Sequence, residues 1–237
     1  MSPVNERAAN PTFEFDALQE AHAYRRGLLR EFSPFLGARV MEVGAGIGQF
    51  TELLARQPGV TTVLALEPDA RLCAQFRKLH PAIRLVEGTV QSVEPKPEWD
   101  NIVCVNVLEH IEHDVDELRS YHHLLKAERG RLCLFVPARP ELFSLIDQDF
   151  GHFRRYRPRD LQQKLLSAGF QLQRLHYFNL VGYAAWWWKF RVLKQRTFDL
   201  KSVRFFDRRI FPITSFLEQK LLRPPIGQSL VAVAQAG

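Results

Sequence analysis

Within the first 136 residues of this chain, five apolar runs of strand length alternate with amphipathic segments of helix length. The runs are 38–43 (ARVMEV), 61–66 (TTVLAL), 83–86 (IRLV), 100–105 (DNIVCV) and 130–136 (GRLCLFV). Helical periodicity falls between them, at 48–56, 69–79 and 114–127. Strands that alternate with helices need right-handed crossovers, which predicts a doubly wound α/β fold around a parallel sheet. A leading helix is expected over 16–33, entered at Asp16 with Gln19 three places on and ended at Ser33-Pro34. Residues 1–14 read as a loose tail. Pro158 can open a later helix that Gly169 stops, and further strands are expected at 171–177 and 229–234. About fifty residues separate these two strands, too many for a plain connection. They are read as an insertion, 179–227, in a domain formed by 1–178 and 228–237.

Composition narrows the class. At 237 residues the chain can bury one substantial core. It has no apolar run long enough to span a bilayer, and its first residues do not resemble a secretory signal. Cys73, Cys104 and Cys133 stand singly among apolar residues, which suits buried thiols in a reducing, cytoplasmic setting. The net charge of +6 is unevenly placed: Val181 to Arg223 holds ten basic and three acidic residues, +7 in all, so the remainder is near neutral.

At the end of the first strand comes MEVGAGIGQF, a glycine-rich passage into a helix. Ligands of open parallel sheets bind at such strand ends, and glycines there admit a tight turn and a close ligand. A dinucleotide loop would be Gly-x-Gly-x-x-Gly, but here Gly48 comes one place early. Glu42, two residues before Gly44, is expected to repel a pyrophosphate and to welcome a cation. The second strand ends in Leu66-Glu67-Pro68, where an acid can accept hydrogen bonds from ribose hydroxyls.

These residues resemble the class I S-adenosylmethionine-dependent methyltransferases, whose loop is Glu/Asp-x-Gly-x-Gly-x-Gly. Glu42, Gly44, Gly46 and Gly48 match it position by position. The resemblance implies a Rossmann-like seven-stranded sheet with the last strand antiparallel, and S-adenosylmethionine as cofactor. It also implies a cofactor site of Tyr24, Glu42, Gly44, Ala45, Gly46, Gly48, Glu67, Pro68, Gly88, Thr89, Val90, Asn106, Val107 and Leu108. Many relatives carry an aspartate at the third strand's end; here Glu87 or a backbone amide would serve instead.

A second segment, Asp147-x(3)-Gly151-His152-x-Arg154-Arg155-Tyr156, resembles the signature of a methyltransferase branch found in glycan, glycolipid and natural-product pathways. A base is needed when the acceptor arrives protonated, and the candidates are His152, Tyr156 and His110, in that order. Arg154 and Arg155 either hold an anion or pin the loop through Asp147 and Asp149. His110 and His113 share a helix face, yet Asn106 stands where cation-dependent O-methyltransferases place acidic ligands, so no metal is expected.

The insertion mixes basic residues with Trp, Phe and Leu. Trp186, Trp187 and Trp188 cannot all face one side of a helix. The segment fits a packing subdomain, a lid over an apolar acceptor, a peripheral membrane element or a dimer contact, in a monomer or homodimer.

The leading reading is an enzyme that methylates a small-molecule or lipid- or glycan-linked acceptor, oxygen favoured over nitrogen or carbon. An RNA methyltransferase is the alternative suggested by the basic pI. The fourth strand's end lacks the Asn/Asp-Pro-Pro-Tyr/Phe loop of adenine-amino enzymes and no RNA-binding module is visible, so nucleic acid is not the expected partner. A non-catalytic module of the same fold is the third reading.

Overall fold

Each expected strand forms within two residues of its predicted bounds. The computed structural model describes residues 21–94, 98–126, 129–195, 200–220 and 223–237. In chain order the elements are α1 (His22–Phe32), β1 (Arg39–Val43), α2 (Gln49–Ala55), β2 (Thr62–Glu67), α3 (Ala70–Leu79), β3 (Arg84–Glu87) and β4 (Asn101–Val105). Then follow α4 (Asp114–Leu124), β5 (Arg131–Pro137), α5 (Leu145–Asp149), α6 (Pro158–Ser167) and β6 (Phe170–Phe178). The insertion supplies α7 (Leu180–Trp186), α8 (Leu200–Phe205) and α9 (Phe211–Lys220), and β7 (Ser229–Ala236) completes the sheet. The predicted tail and the predicted start of the leading helix lie outside the described residues.

Among the described residues the strands form one seven-stranded sheet in the order β3-β2-β1-β4-β5-β7-β6. β7 runs antiparallel to both β5 and β6, while the other pairs are parallel. The order reverses between β1 and β4, so their carboxyl ends flank the crevice where such sheets bind ligands. Side chains alternate across each strand. Met41, Leu64, Ile102 and Leu132 pack beneath α4 and α6, whereas Val40, Val103, Cys133 and Val231 meet α1 and α2 on the other face. Burial on both faces is why the strand sequences read as nearly unbroken apolar runs. All three cysteines are buried free thiols.

Local signals set the helix ends. Pro158 occupies the first turn of α6, and Gly169 follows it with φ 96°, a left-handed conformation that favours glycine. Asn179 opens the insertion at φ 63°, its side chain accepting the Gly182 amide at 2.8 Å. A π-helical turn over Trp187–Val192 continues α7, and another over Phe206–Ile210 joins α8 to α9.

The insertion is part of the core. Phe211 is 1% exposed and stacks near Tyr24, Phe178 and Leu28. Trp186 and Phe190 turn inward against Leu142 and Ile146, leaving Trp187 and Trp188 exposed. A longer-range tie reinforces this packing. The first turn of α1 has no side-chain cap of its own, yet Asp207 of the insertion accepts the Ala23 amide at 2.9 Å and the Tyr24 amide at 2.8 Å. A buried carboxylate from 184 residues away thus caps the helix.

Asp207→Ala leaves two amide donors without an acceptor. It is expected to cost about 2–3 kcal/mol of stability and to lower the melting temperature by several degrees, which thermal denaturation by circular dichroism would measure.

Candidate active site

The glycine loop turns because its backbone must. Gly44, Gly46 and Gly48 adopt φ of 73°, 57° and 90°. A Cβ on Gly44 would lie 2.2 Å from the Val107 side chain, so the loop also packs directly on the end of β4. Its amides are turned inward. Gly44 and Ala45 both donate to the Leu66 carbonyl at 2.9 Å, Gly48 donates to Ala45, and Gly46 donates to the Glu67 carboxylate at 2.8 Å. A pyrophosphate cradle needs such amides pointing outward, so this loop suits a ligand without phosphate.

Glu42 does not act through the charge expected of it. Its carboxyl lies beneath the loop, 2% exposed, and accepts the Thr51 hydroxyl of α2. Burial raises its pKa to about 8, only partly offset by the Thr51 hydrogen bond. At neutral pH it is mostly protonated, so it offers little counter-charge to a cation. Exclusion of a dinucleotide rests on the loop amides instead.

Glu67 ends β2 with one oxygen on the Gly46 amide and the other on the Asp69 amide at 2.9 Å, its pKa raised by burial. Pro68 follows in the turn to α3. Gly88, Thr89 and Val90 follow β3; Val90 is buried and the Thr89 hydroxyl donates to Gln91. Glu87 is committed to an ion pair with Arg77 at 3.1 Å. Asn106, at φ 51°, turns the chain out of β4 and lines a cavity. Leu108 differs from expectation: its side chain is fully buried in the core, leaving only backbone to border a ligand.

The cavity, of about 650 Å³, opens above the ends of β4 and β5. Tyr24, Asn106, Phe135 and Ser229 form its base; Phe150, His152 and Arg155 its wall; Trp186, Phe190 and Phe206 of the insertion its roof. Tyr24 is held in place by neighbouring rings and by Ser229 and Asn179, and burial raises its pKa far above the usual phenol range. It remains an uncharged wall.

His152 is the polar focus of this cavity. Its Nδ1 lies 3.1 Å from the Asp147 carboxylate, its side chain is 7% exposed, and its buried Nε2 has no hydrogen-bond partner. Asp147 is wholly buried and accepts the Ser144 amide and hydroxyl, closing a capping box on α5, while Arg155 donates to it at 2.7 Å. Burial would raise the Asp147 pKa, but His152 and Arg155 hold it below the usual carboxylate value. Arg155 in turn lies over the Trp186 ring at 4.5 Å, linking the site to its roof.

The remaining signature residues are placed elsewhere. Tyr156 is 2% exposed and absent from the cavity wall; its hydroxyl donates to Asp114 at 2.9 Å and approaches the Leu108 carbonyl at 3.2 Å. Burial and Asp114 raise its pKa far above the usual range, so it is a structural tyrosine and not a base. Arg154 pairs with Asp114 at 2.7 Å, not with Asp149. Asp114, which also holds Lys164 at 2.6 Å, is a hub that the sequence reading did not single out. Its place in the first turn of α4 was the available signal.

His110 stands edge-on to His152 with ring centroids 4.6 Å apart. Burial and the neighbouring imidazole lower its pKa to about 4, so it supports His152 as a neutral ring. Glu109, His110 and His152 each bring a ligand atom within 4.8 Å of the others. They could hold a cation, a grouping made with His152 and not with His113 as the sequence spacing suggested.

Comparison with known proteins shows the family and the fold. A methyltransferase-domain family model matches residues 17–175. The ubiquinone biosynthesis O-methyltransferase of Xylella fastidiosa (strain 9a5c) is 35% identical over 159 residues, covering 59% of this chain and 63% of that protein. The enzyme of the same name from Xanthomonas euvesicatoria pv. vesicatoria is 30% identical over 155 residues, covering 58% and 64%. The chain thus spans under two thirds of the length of these curated relatives. Among solved structures, a putative methyltransferase in complex with the Haloferax volcanii Trm112 methyltransferase activator superposes with a TM-score of 0.66 at 14% identity, covering 99% of each chain. A putative methyltransferase from Bacillus halodurans gives 0.59 at 18% identity, covering 89% of this chain and 97% of that one. At these identities the structures speak for the fold alone.

The buried Glu42 generates a pH prediction. An acid whose pKa is raised on folding, here from 4.5 to about 8, gives its full stability below pH 4.5 and loses it as pH rises towards 8. Glu42→Gln removes that dependence. The melting temperature of the parent relative to the variant is therefore expected to fall across this window and to level off above it; parallel profiles would contradict the assignment.

Proposed function

This chain belongs to the S-adenosylmethionine-dependent methyltransferases, and we propose that it methylates a hydroxyl on a small, largely apolar acceptor bound in the cavity beneath the insertion. The observation that carries this reading is His152, a residue of the cavity wall whose Nδ1 is fixed by Asp147 while its buried Nε2 has no hydrogen-bond partner. The names of the O-methyltransferase relatives support oxygen as the acceptor atom. The apolar lining supports a small or lipid-linked molecule, glycolipid included. The Gly151–Tyr156 segment supports placement in the branch that carries this signature.

The residues present fit the cofactor. Gly44, where a Cβ would strike Val107, and the glycines after it put no side chain on the loop, and Glu67, although engaged with two amides, keeps carboxylate lone pairs for ribose hydroxyls. In this reading Gly44 to Gly48, Pro68, Gly88 to Val90 and Asn106 to Leu108 border the adenosine and methionine portions, with Tyr24 closing the methionine end. Bound S-adenosylmethionine supplies an electrophilic methyl group on a sulfonium, open to in-line displacement.

The protein supplies alignment and proton transfer. The acceptor hydroxyl passes its proton to His152 Nε2 as its oxygen gains nucleophilicity, and the Asp147 carboxylate stabilises the resulting imidazolium. Arg155 keeps Asp147 ionised when the site is dry. The roof excludes water that would compete for the hydroxyl.

His152→Gln, assayed with phenols bearing alkyl tails, is expected to lower kcat by about 10²–10⁴-fold while leaving KM and cofactor affinity within a few-fold. Acidic nitrophenols, which arrive ionised, should largely escape the loss. A kcat within twofold of the parent for unactivated phenols would remove His152 from proton transfer. Turnover should also survive chelation. Its loss, with restoration by a divalent ion, would shift the reading to a cation at Glu109, His110 and His152.

A further inference from the structure

The insertion helices carry apolar residues on the face turned away from the protein. Along α7 and its π turn, Gly182, Trp186 and Phe190 are buried. Leu180, Trp187, Trp188 and Val192 repeat at helical spacing on the outside, with Trp188 57% exposed. The second helical run repeats the pattern. Asp207, Phe211 and Ser215 are buried, whereas Phe205, Ile213 and Phe216 are 61%, 63% and 58% exposed. Large apolar side chains exposed on the outer side of helices whose inner side is already buried mark an interaction surface among the described residues.

The charge on this surface is one-sided. Lys194, Arg208 and Arg209 are exposed beside the outer apolar residues. The two described acids of the insertion are turned to other work: Asp207 caps α1, and Glu218 accepts the Asn179 and Leu180 amides at 3.0 and 2.9 Å. The third, Asp199, lies outside the described residues. No described helix is long and apolar enough to cross a membrane. Exposed tryptophans interleaved with basic residues suit the headgroup boundary of a bilayer instead. The cavity meets this surface, since Phe205 both lines it and stands 61% exposed.

We propose that the outer face of the insertion docks on an anionic lipid surface, with Trp187, Trp188 and Phe216 at the headgroup boundary and the basic side chains on the lipid phosphates. An acceptor with a lipid tail then reaches the cavity past Phe205 without crossing water. Docking itself does not depend on which atom is methylated, so it stands or falls apart from the reaction.

The full chain is tested with vesicles of phosphatidylcholine alone and with added phosphatidylglycerol, by co-sedimentation and by quenching of tryptophan fluorescence with brominated lipid. Binding is expected with phosphatidylglycerol only, and should weaken as salt rises. Trp187→Ser/Trp188→Ser and, separately, Arg208→Glu/Arg209→Glu should each bind at least about tenfold more weakly. Both pairs lie off the cavity wall, so S-adenosylmethionine affinity by calorimetry should stay at the parent value and certify folding. The tryptophan variant should also lose the quenching, because Trp99 and Trp186 are buried. If either variant fails to fold, salt-sensitive quenching of the parent decides. The proposal is overturned by equal or absent binding to the two vesicle types, or by folded variants that bind like the parent. A parent dimer that the tryptophan variant turns to monomer, without lipid binding, would assign the face to a second copy of the chain.

Discussion

The wholly buried Asp147 carboxylate is the interaction on which the rest of the site hangs. One of its oxygens closes the amino end of α5 through Ser144; the other is shared by His152 and Arg155. Removing a carboxylate from water is costly, and only this set of donors makes it tolerable. The donors therefore cannot drift. The loop after β5 is fixed, the His152 ring is oriented, and Arg155 is held where Trp186 can cover it. Wall and roof of the cavity are both set by one anion.

A second buried carboxyl group works by the opposite logic. Glu42 has a single described hydroxyl donor, Thr51, and answers burial by holding its proton. Glu67, at the end of the next strand, is also buried but is held by two backbone amides. Two glutamates on neighbouring strands thus take different roles. Glu42 fastens α2 to β1, and Glu67 fastens the glycine loop to β2.

Much of the fold was legible because its signals are local. Apolar runs of strand length, Pro158 and Gly169 at the ends of α6, and glycines at left-handed positions each act within a few residues. The strand count and the antiparallel last strand followed from resemblance, not from periodicity. What escaped was direction. A one-letter sequence does not show that Glu42 points beneath the loop, that Tyr156 turns to Asp114, or that Trp186 is the tryptophan facing inward. Those outcomes depend on partners far along the chain: Leu108 and Asp114 for Tyr156, Leu142 and Ile146 for Trp186. The His152 loop was visible as a motif, but its dependence on Asp147 and its neighbours Glu109 and His110 required three dimensions.

The cap that Asp207 places on α1 has a bearing on how the chain is made. Synthesis delivers α1 early and Asp207 184 positions later. Until then the first amides of α1 have only water, and an isolated helix of this length is marginal. β7, which fills the gap between β5 and β6, comes later still. Maturation of the base of the cavity thus waits for its roof, so a nascent chain cannot present Tyr24 in its final setting before the insertion has emerged.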